Sequence, residues 1–314
     1  MHLDWFQQPS GIHRSPNALL IGATGTGKTH TIRSASEILR IPFIVTDATS
    51  LVPSGFVGEQ IEDVLKNLVG AAQEVLRSSG EEPSDHADIE LARRGVLFID
   101  EFDKLAAPVE RYSEEGASKR VVQRRLLKLI EGSVLRVGVK YHTSDPDRFI
   151  DTSGILVIAS GAFTGIDAPE IRGKRPPVLL DALLNPNEVI TADLISYGFI
   201  PELVARMPVL IRYAELAAGE LLEILSRADI SPLTVWREYF RKRNKTISVT
   251  DEAMAVVADQ ASKLKMGARG LQQILFPRLA RIAYEFEVSA EDTYVLTVDD
   301  FERPRPKIEE VDGS

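Results

Sequence analysis

The chain contains no cysteine in 314 residues, so neither disulfides nor thiolate-held zinc can support its fold. That absence fits a reducing compartment, and the cytoplasm is the expected location. Five histidines (His2, His13, His30, His86 and His142) are scattered without metal-ligand spacing. No apolar run approaches the roughly 20 residues that cross a bilayer, and no signal-peptide pattern opens the sequence, so no membrane association is expected. Basic charge is also in deficit. The 37 Lys and Arg against 46 Asp and Glu leave a net charge of −9, which argues against nucleic acid as the main partner. A local exception is the cluster Arg111, Lys119, Arg120, Arg124, Arg125 and Lys128, which reads as a solvated helix face, with a basic channel as the rival reading.

The length allows two packed cores rather than one. Ala18–Ile21, Pro42–Val45, Val96–Ile99, Ile155–Ala159 and Val209–Ile211 are short, continuous apolar runs, the signature of buried parallel strands. Helical spacing lies between them, as at Ile61, Val64, Leu65 and Leu68. This alternation predicts an α/β fold, a doubly wound domain over residues 16–211 with a parallel five-stranded sheet. Beyond it, Leu216–Leu225, Pro232–Lys242, Asp251–Lys265 and Leu271–Glu285 read as helices of a small, mainly helical C-terminal domain over residues 213–303. Ala253, Val256, Val257 and Leu264 share one face, Thr250 is the expected N-cap, and Pro277 should kink or split the last helix. Tyr294–Val298 reads as a final strand. Residues 78–90 and 164–191 are expected to be surface loops.

Gly22-Ala23-Thr24-Gly25-Thr26-Gly27-Lys28-Thr29 follows the first strand and opens a helix, the context a phosphate-binding P-loop requires. Glycines let backbone N–H groups turn around phosphate oxygens, and the helix N-terminus adds partial positive charge. Lys28 can then bridge the β- and γ-phosphates of ATP, and the Thr29 hydroxyl can coordinate Mg²⁺. The second motif, Val96-Leu97-Phe98-Ile99-Asp100-Glu101, places two carboxylates at the C-terminal end of a buried strand, where open α/β sheets bind ligands. Asp100 suits the magnesium shell, and Glu101 suits a general base that polarises the attacking water.

From residue 17 onward the chain resembles the AAA+ unfoldase family ClpX, with HslU the nearest competing family. The resemblance rests on both nucleotide motifs and on Asp47-Ala48-Thr49, Gly55-Phe56-Val57-Gly58, Leu126-Leu127-Lys128-Leu129-Ile130-Glu131-Gly132 and Gly161-Ala162-Phe163. Further matches are Ile200-Pro201-Glu202-Leu203-Val204-Ala205-Arg206 and Gly267-Ala268-Arg269-Gly270-Leu271. The C-terminal domain is then the AAA+ lid domain. The resemblance implies that Arg206 is the arginine finger, reaching ATP in a neighbouring subunit. Arg269 becomes the sensor-2 arginine, and Ser160 takes the place of the sensor-1 polar group. Gly55, Phe56, Val57 and Gly58 become the pore loop that grips substrate, with Phe56 where the family usually has tyrosine. Arg111 and Tyr112 fall where a second pore loop would lie.

Departures from the family pattern shape the expectations. Only 27 residues precede Lys28, so the upstream adenine-side segment is expected to be missing or replaced by residues 1–16. No zinc-binding N-terminal domain is expected ahead of it. Residues 164–191 lack the Ile-Gly-Phe tripeptide of the family, and residues 136–146 lack its Arg-Lys-His loop. A ClpP-type peptidase is therefore not expected as a partner. The expected function is an ATP- and Mg²⁺-dependent protein unfoldase assembled as a homo-oligomer, a hexameric ring that threads polypeptide substrates through its pore. The rival readings are a nucleotide-gated scaffold with little turnover and a nucleic-acid-remodelling ATPase.

Overall fold

The computed structural model describes residues 16–52, 58–84, 86–107, 114–137, 148–175, 188–287 and 292–302. These divide into two compact units. One comprises the described residues up to 22 and from 27 to 213, and the other comprises residues 23–26 and those from 214 onward. No helix among the described residues is long and apolar enough to cross a membrane.

The first unit is built on five strands: β1 (Ala18–Ile21), β2 (Phe43–Asp47), β3 (Val96–Asp100), β6 (Leu156–Gly161) and β7 (Val209–Arg212). They pair in the order β2-β3-β6-β1-β7, every pair parallel. Alternation along each strand splits the side chains between two faces. Leu19, Ile21, Leu97, Ile99, Val157 and Ala159 join the larger core. Helix α2 (Ile61–Ser78) adds Val64, Leu65, Leu68, Val69 and Ala72 to it, and α4 (Glu114–Glu131) adds Val122, Leu126 and Leu129. Leu20, Val96, Phe98 and Ile158 form a smaller cluster, against which Ile32 of α1 (Lys28–Leu39) is only partly buried. Helix α1 is a thin cover, and its Ile38 stays 81% exposed. Fully burying one large apolar side chain is worth about 1.5–3 kcal/mol, so the α2 face contributes far more to the unit's cohesion than α1 does.

Several expectations needed adjusting. The strands expected at 42–45 and 155–159 each run two residues further, to Asp47 and Gly161, because pairing continues past the last apolar residue. The stretch at 78–90 is not loop throughout. Helix α3 (Ala87–Ala92) begins inside it and carries Asp88, which is fully buried. That carboxylate accepts hydrogen bonds from Arg148 and from Gln73 Nε2 (2.8 Å), which offset its desolvation. A hairpin that sequence patterning missed, β4 (Val134–Arg136) with β5 (Phe149–Asp151), follows α4. The 164–191 stretch contains the short helix α5 (Pro169–Arg172). Helices α6 (Thr191–Tyr197) and α7 (Pro201–Ala205) then lead to β7.

The second unit packs α8 (Ala218–Ser226), α9 (Leu233–Arg241), α10 (Asp251–Lys263) and α11 (Ala268–Glu287) around Leu221, Leu225, Phe240, Val257, Leu271, Leu275 and Leu279. Thr250 does cap α10, its hydroxyl accepting from the Ala253 amide at 3.2 Å. Leu264 lies past the last turn of α10 and is exposed, so only Ala253 and Val257 of the expected face are fully buried, with Val256 partly so. Pro277 does not split α11, which runs unbroken through it. The Arg278 guanidinium donates to the Ile274 carbonyl at 2.9 Å, one residue after the Gln273 carbonyl that a proline at 277 leaves without its helical donor. The final strand β9 (Thr293–Leu296) finds a parallel partner in β8 (Thr246–Val249), which alternation alone did not reveal. The short helix α12 (Asp299–Glu302) follows and buries Phe301.

Candidate nucleotide-binding site

Strand β1 sits between β6 and β7, with Ile21 opposite both Gly161 and Arg212. The glycine loop therefore leaves from the C-terminal end of the sheet. The Gly22 amide donates to the Gly161 carbonyl (3.1 Å), and a Cβ on Gly22 would come within 2.7 Å of the Tyr213 carbonyl oxygen. Only glycine allows that approach. Gly27 takes a left-handed conformation (φ 87°) at the N-cap of α1, with no side-chain cap. The helix thus presents backbone N–H groups and the positive end of its dipole, the ordinary design of an anion site. Lys28 is only 8% exposed, and its Nζ donates to the Gly22 carbonyl at 2.7 Å. Its ammonium is thereby held within the turn of the loop.

Thr29 and Asp100 come together from 71 residues apart, Thr29 Oγ1 lying 3.4 Å from Asp100 Oδ2. The other carboxylate oxygen accepts from the Glu101 amide at 2.9 Å. Glu101 itself adopts φ 52° and is exposed, a conformation that costs energy for a residue with a Cβ and that concentrates at functional sites. No group of three or more His, Asp or Glu side chains forms a metal cage among the described residues. Two hard oxygens at the mouth of a phosphate loop suit Mg²⁺, which is ordinarily held by one or two protein oxygens together with nucleotide phosphates. Ser160, near the end of β6, is buried, and its hydroxyl has no hydrogen-bond partner among the described residues.

Behind these residues, the chain after β3 is fastened to the segment ahead of Arg206. Phe102 stacks on Phe199 (4.9 Å between centroids), and Phe163 packs against Tyr197 and Phe199. The buried Gln123 of α4 donates to the Leu105 carbonyl (2.7 Å) and accepts from the Ile200 amide (2.8 Å). Asn17 bridges the Arg206 carbonyl (3.1 Å) and the Val157 amide (3.0 Å). The Asp103 carboxylate beside Lys104 holds that ammonium's pKa above the usual lysine value. A cavity of about 610 Å³ lies beside Asp103, Lys104, Lys119, Lys174 and Tyr197. No P-loop residue lines it, so it is not the nucleotide site. Burial pushes the Tyr197 phenol upward there.

Arg206 caps α7 and is not bonded to the P-loop. Its side chain is 55% exposed and pairs with Glu131 at 3.0 Å. In the second unit, residues 23–26 pack with the turn ahead of α11, where the Ala268 amide donates to the Gly25 carbonyl at 2.9 Å. Gly25 (φ 81°) and Gly267 (φ 55°) approach so closely that a Cβ on either would meet a backbone oxygen at 2.3 Å. This accounts for the glycine at 267, and Arg269 is exposed in the first turn of α11. Gly55, Phe56 and Val57 lie outside the described residues, as do Arg111 and Tyr112, while Gly58 lies inside them. Sequence reasoning missed the ion pairs of Asp167 with Arg212 and Arg172. These hold the Asp167 carboxyl below its usual range, Arg212 contributing most. Single charged residues in loops carry no periodic signal that could have found them.

A glycine loop, a buried lysine and a paired Thr–Asp at the C-terminal end of a parallel sheet define a P-loop nucleotide-hydrolase site. Residues 13–210 match the family model AAA domain (Cdc48 subfamily). The chain is 33% identical over 291 residues to the ATP-dependent Clp protease ATP-binding subunit ClpX 2 of Wolinella succinogenes, covering 91% of this chain and 70% of that protein. It is 31% identical over 297 residues to the ClpX subunit of Bacteroides thetaiotaomicron, covering 90% and 69%. With the ClpX subunit of Treponema denticola it shares 32% over 274 residues, covering 82% and 63%. The chain belongs to the AAA+ family as a ClpX-like ATPase.

One expectation loses its support here. The relatives are named as ATP-binding subunits of the Clp protease, so the absence of a ClpP-type peptidase partner does not follow from the missing tripeptide. Residues 176–187 of the segment on which it rested also lie outside the described residues.

Proposed function

We propose that this chain is an ATP-driven protein unfoldase that acts as a hexameric ring in the cytoplasm and threads polypeptide through a central pore. The observation that carries the reading is the extent of the ClpX likeness. It spans 91% of the chain, both units included, rather than the P-loop unit alone. Lys28 and the amides of the glycine loop hold the ATP phosphates, and Thr29 and Asp100 hold the Mg²⁺ that neutralises developing charge. Glu101 accepts the proton of the attacking water. Arg206, exposed and free of the P-loop of its own chain, stabilises the transition state at a neighbour's site. Arg269 responds to nucleotide from the second unit, and Ser160 offers its buried hydroxyl at the end of β6. Gly55-Phe56-Val57-Gly58 contacts the substrate, where an aromatic between glycines grips by bulk without reading sequence.

Two rivals are less favoured. Turnover is the property the family shares, which disfavours a silent scaffold. A nucleic-acid channel is disfavoured because Lys119 and Arg125 of the basic helix are paired with Glu115 and Glu62. The test is ATP hydrolysis with and without an unfolded protein, alongside ATP-dependent loss of fold in a stable reporter. Stimulated turnover and reporter unfolding are expected. Turnover indifferent to polypeptide but stimulated by DNA in a salt-dependent way would overturn the reading.

A further inference from the structure

Three lysines reach one cavity from three separate elements. Lys104 comes from the turn after β3 (Phe102–Leu105), Lys119 from α4, and Lys174 from the chain just past α5. The cavity holds about 610 Å³, inside the range of roughly 300–1,000 Å³ that small-molecule sites occupy. Ile171, Ile195 and Tyr197 supply apolar wall between the cations. Two acids also line it, Asp103 and Glu170, so ammoniums outnumber carboxylates. Asp103 is buried and spends its charge on Lys104 at 3.1 Å. The balance left for an occupant is positive, in a chain whose net charge is −9.

The ion pairs already present do not use up these cations. An ammonium carries three donors, and Lys104 gives one of them to Asp103. Lys119 pairs with Glu115 at 2.7 Å, but Glu115 is 77% exposed, and a pair so open to water is weak and exchangeable. Asp103 chiefly, with Tyr197 and Glu101 adding to it, holds the Lys104 pKa above the ordinary lysine value. Lys104 therefore lies within electrostatic reach of both the cavity wall and the nucleotide carboxylate.

The link to Glu101 is also mechanical. The Lys104 amide donates to the Glu101 carbonyl at 2.9 Å, closing the turn that follows the left-handed Glu101 backbone. Phe102 of the same turn stacks on Phe199, two residues beyond Tyr197. A molecule held between Lys104, α4 and α5 would tie this turn to the elements around it.

We propose that the cavity is a second ligand site, which takes a small organic anion with several acid groups on an apolar body and slows ATP turnover by restraining the turn after Glu101. The acid groups engage Lys104, Lys119 and Lys174, and the apolar body packs on Ile171 and Ile195. The effect on turnover rests on the reading of Glu101 as general base, whereas the binding does not.

The experiment titrates the full-length protein with trimesate, a benzene ring bearing three carboxylates, while a non-hydrolysable ATP analogue saturates the P-loop. Saturable binding at one site per chain is expected. Benzoate, with a single acid, should bind about tenfold or more weakly, the weight of a charge-assisted hydrogen bond. Lys119→Gln with Lys174→Gln should weaken trimesate by a similar factor at an unchanged melting temperature. That pair spares Lys104, whose loss would strip buried Asp103 of its ammonium, and each single variant covers a double variant that fails to fold. Hydrolysis at saturating ATP should slow about fivefold along the same trimesate curve, the lower range of coupling between two sites.

No saturable binding would overturn the proposal, as would an affinity unchanged in the lysine variants. Displacement of trimesate by the ATP analogue would place the anion in the P-loop and overturn it equally. If Glu101→Gln hydrolyses ATP normally, the general-base reading fails while the binding result still decides the site. If that variant is inactive and bound trimesate leaves the parent's turnover unchanged, the coupling falls.

Discussion

Strands β2 and β3 lie side by side in the sheet, yet the polar groups at their C-terminal ends are bonded differently. β3 ends in Asp100 and Glu101, one bonded to Thr29 of the P-loop helix and the other exposed with an unfavourable backbone. β2 ends in Thr46 and Asp47, whose polar groups are consumed locally by Thr49, Ser50 and Glu59. Chemistry needs carboxylates left available for a metal and a water, whereas the polar groups at the end of β2 are already satisfied within the fold. The two ends are joined through the Asp47–Asp100 register. The contrast teaches that a strand end's polar residues are informative chiefly through whether the fold has already bonded them.

Variants on the β3 side should destroy turnover, where those on the β2 side spare it. The largest effect belongs to Arg206. Arg206→Ala should bind ATP but hydrolyse it on the order of 10³-fold more slowly, the scale of a lost arginine finger. Mixing it with Glu101→Gln protein should restore part of the activity, because a mixed ring pairs an intact Glu101 with an intact neighbouring Arg206. Absence of recovery in rings shown to be mixed would contradict a shared site. Glu101→Gln alone should keep ATP binding and lower hydrolysis on the order of 10²-fold, the usual contribution of a positioned base. Lys28→Ala should instead weaken nucleotide binding itself, read by titration with a fluorescent ATP analogue. A Glu101→Gln protein with near-normal turnover would erase the distinction between the two strand ends.

The smallest effect concerns a third region, beyond the end of β6, where Asp167 pairs with Arg212 and Arg172. Its carboxyl is held below the usual range, chiefly by Arg212. The stabilisation is therefore fully present above the ordinary carboxylate pKa of about 4 and is lost as pH falls through the lowered folded value. These side chains are partly exposed, so Asp167→Asn should cost less than about 1 kcal/mol at neutral pH. The melting-temperature gap from the parent protein should close in acid. A gap that persists unchanged at acidic pH would show that packing, not charge, accounts for the difference.

What the sequence determined by itself is local. Gly22–Thr29 encodes a backbone turn and a helix start, and Val96–Glu101 encodes a buried strand ending in acids. Each uses contiguous residues, so the chemistry is readable without knowing what lies nearby. The helical spacing of Ile61, Val64, Leu65 and Leu68 was legible for the same reason, since one periodicity repeats along one element. The tertiary structure decided whatever joins distant single residues. Thr29 meets Asp100, Asp88 meets Arg148, Gln123 ties α4 to the approach to Arg206, and β8 finds β9. It also decided that α11 runs unbroken through Pro277, where the proline rule alone predicted a kink or a break. Glu59 is the sharpest case. It is unremarkable in sequence, and its contacts emerge only where β2, the following turn and α2 converge on one carboxylate. A hydrogen bond depends on two groups reaching one point in space, and residue order specifies that point only after the chain has folded.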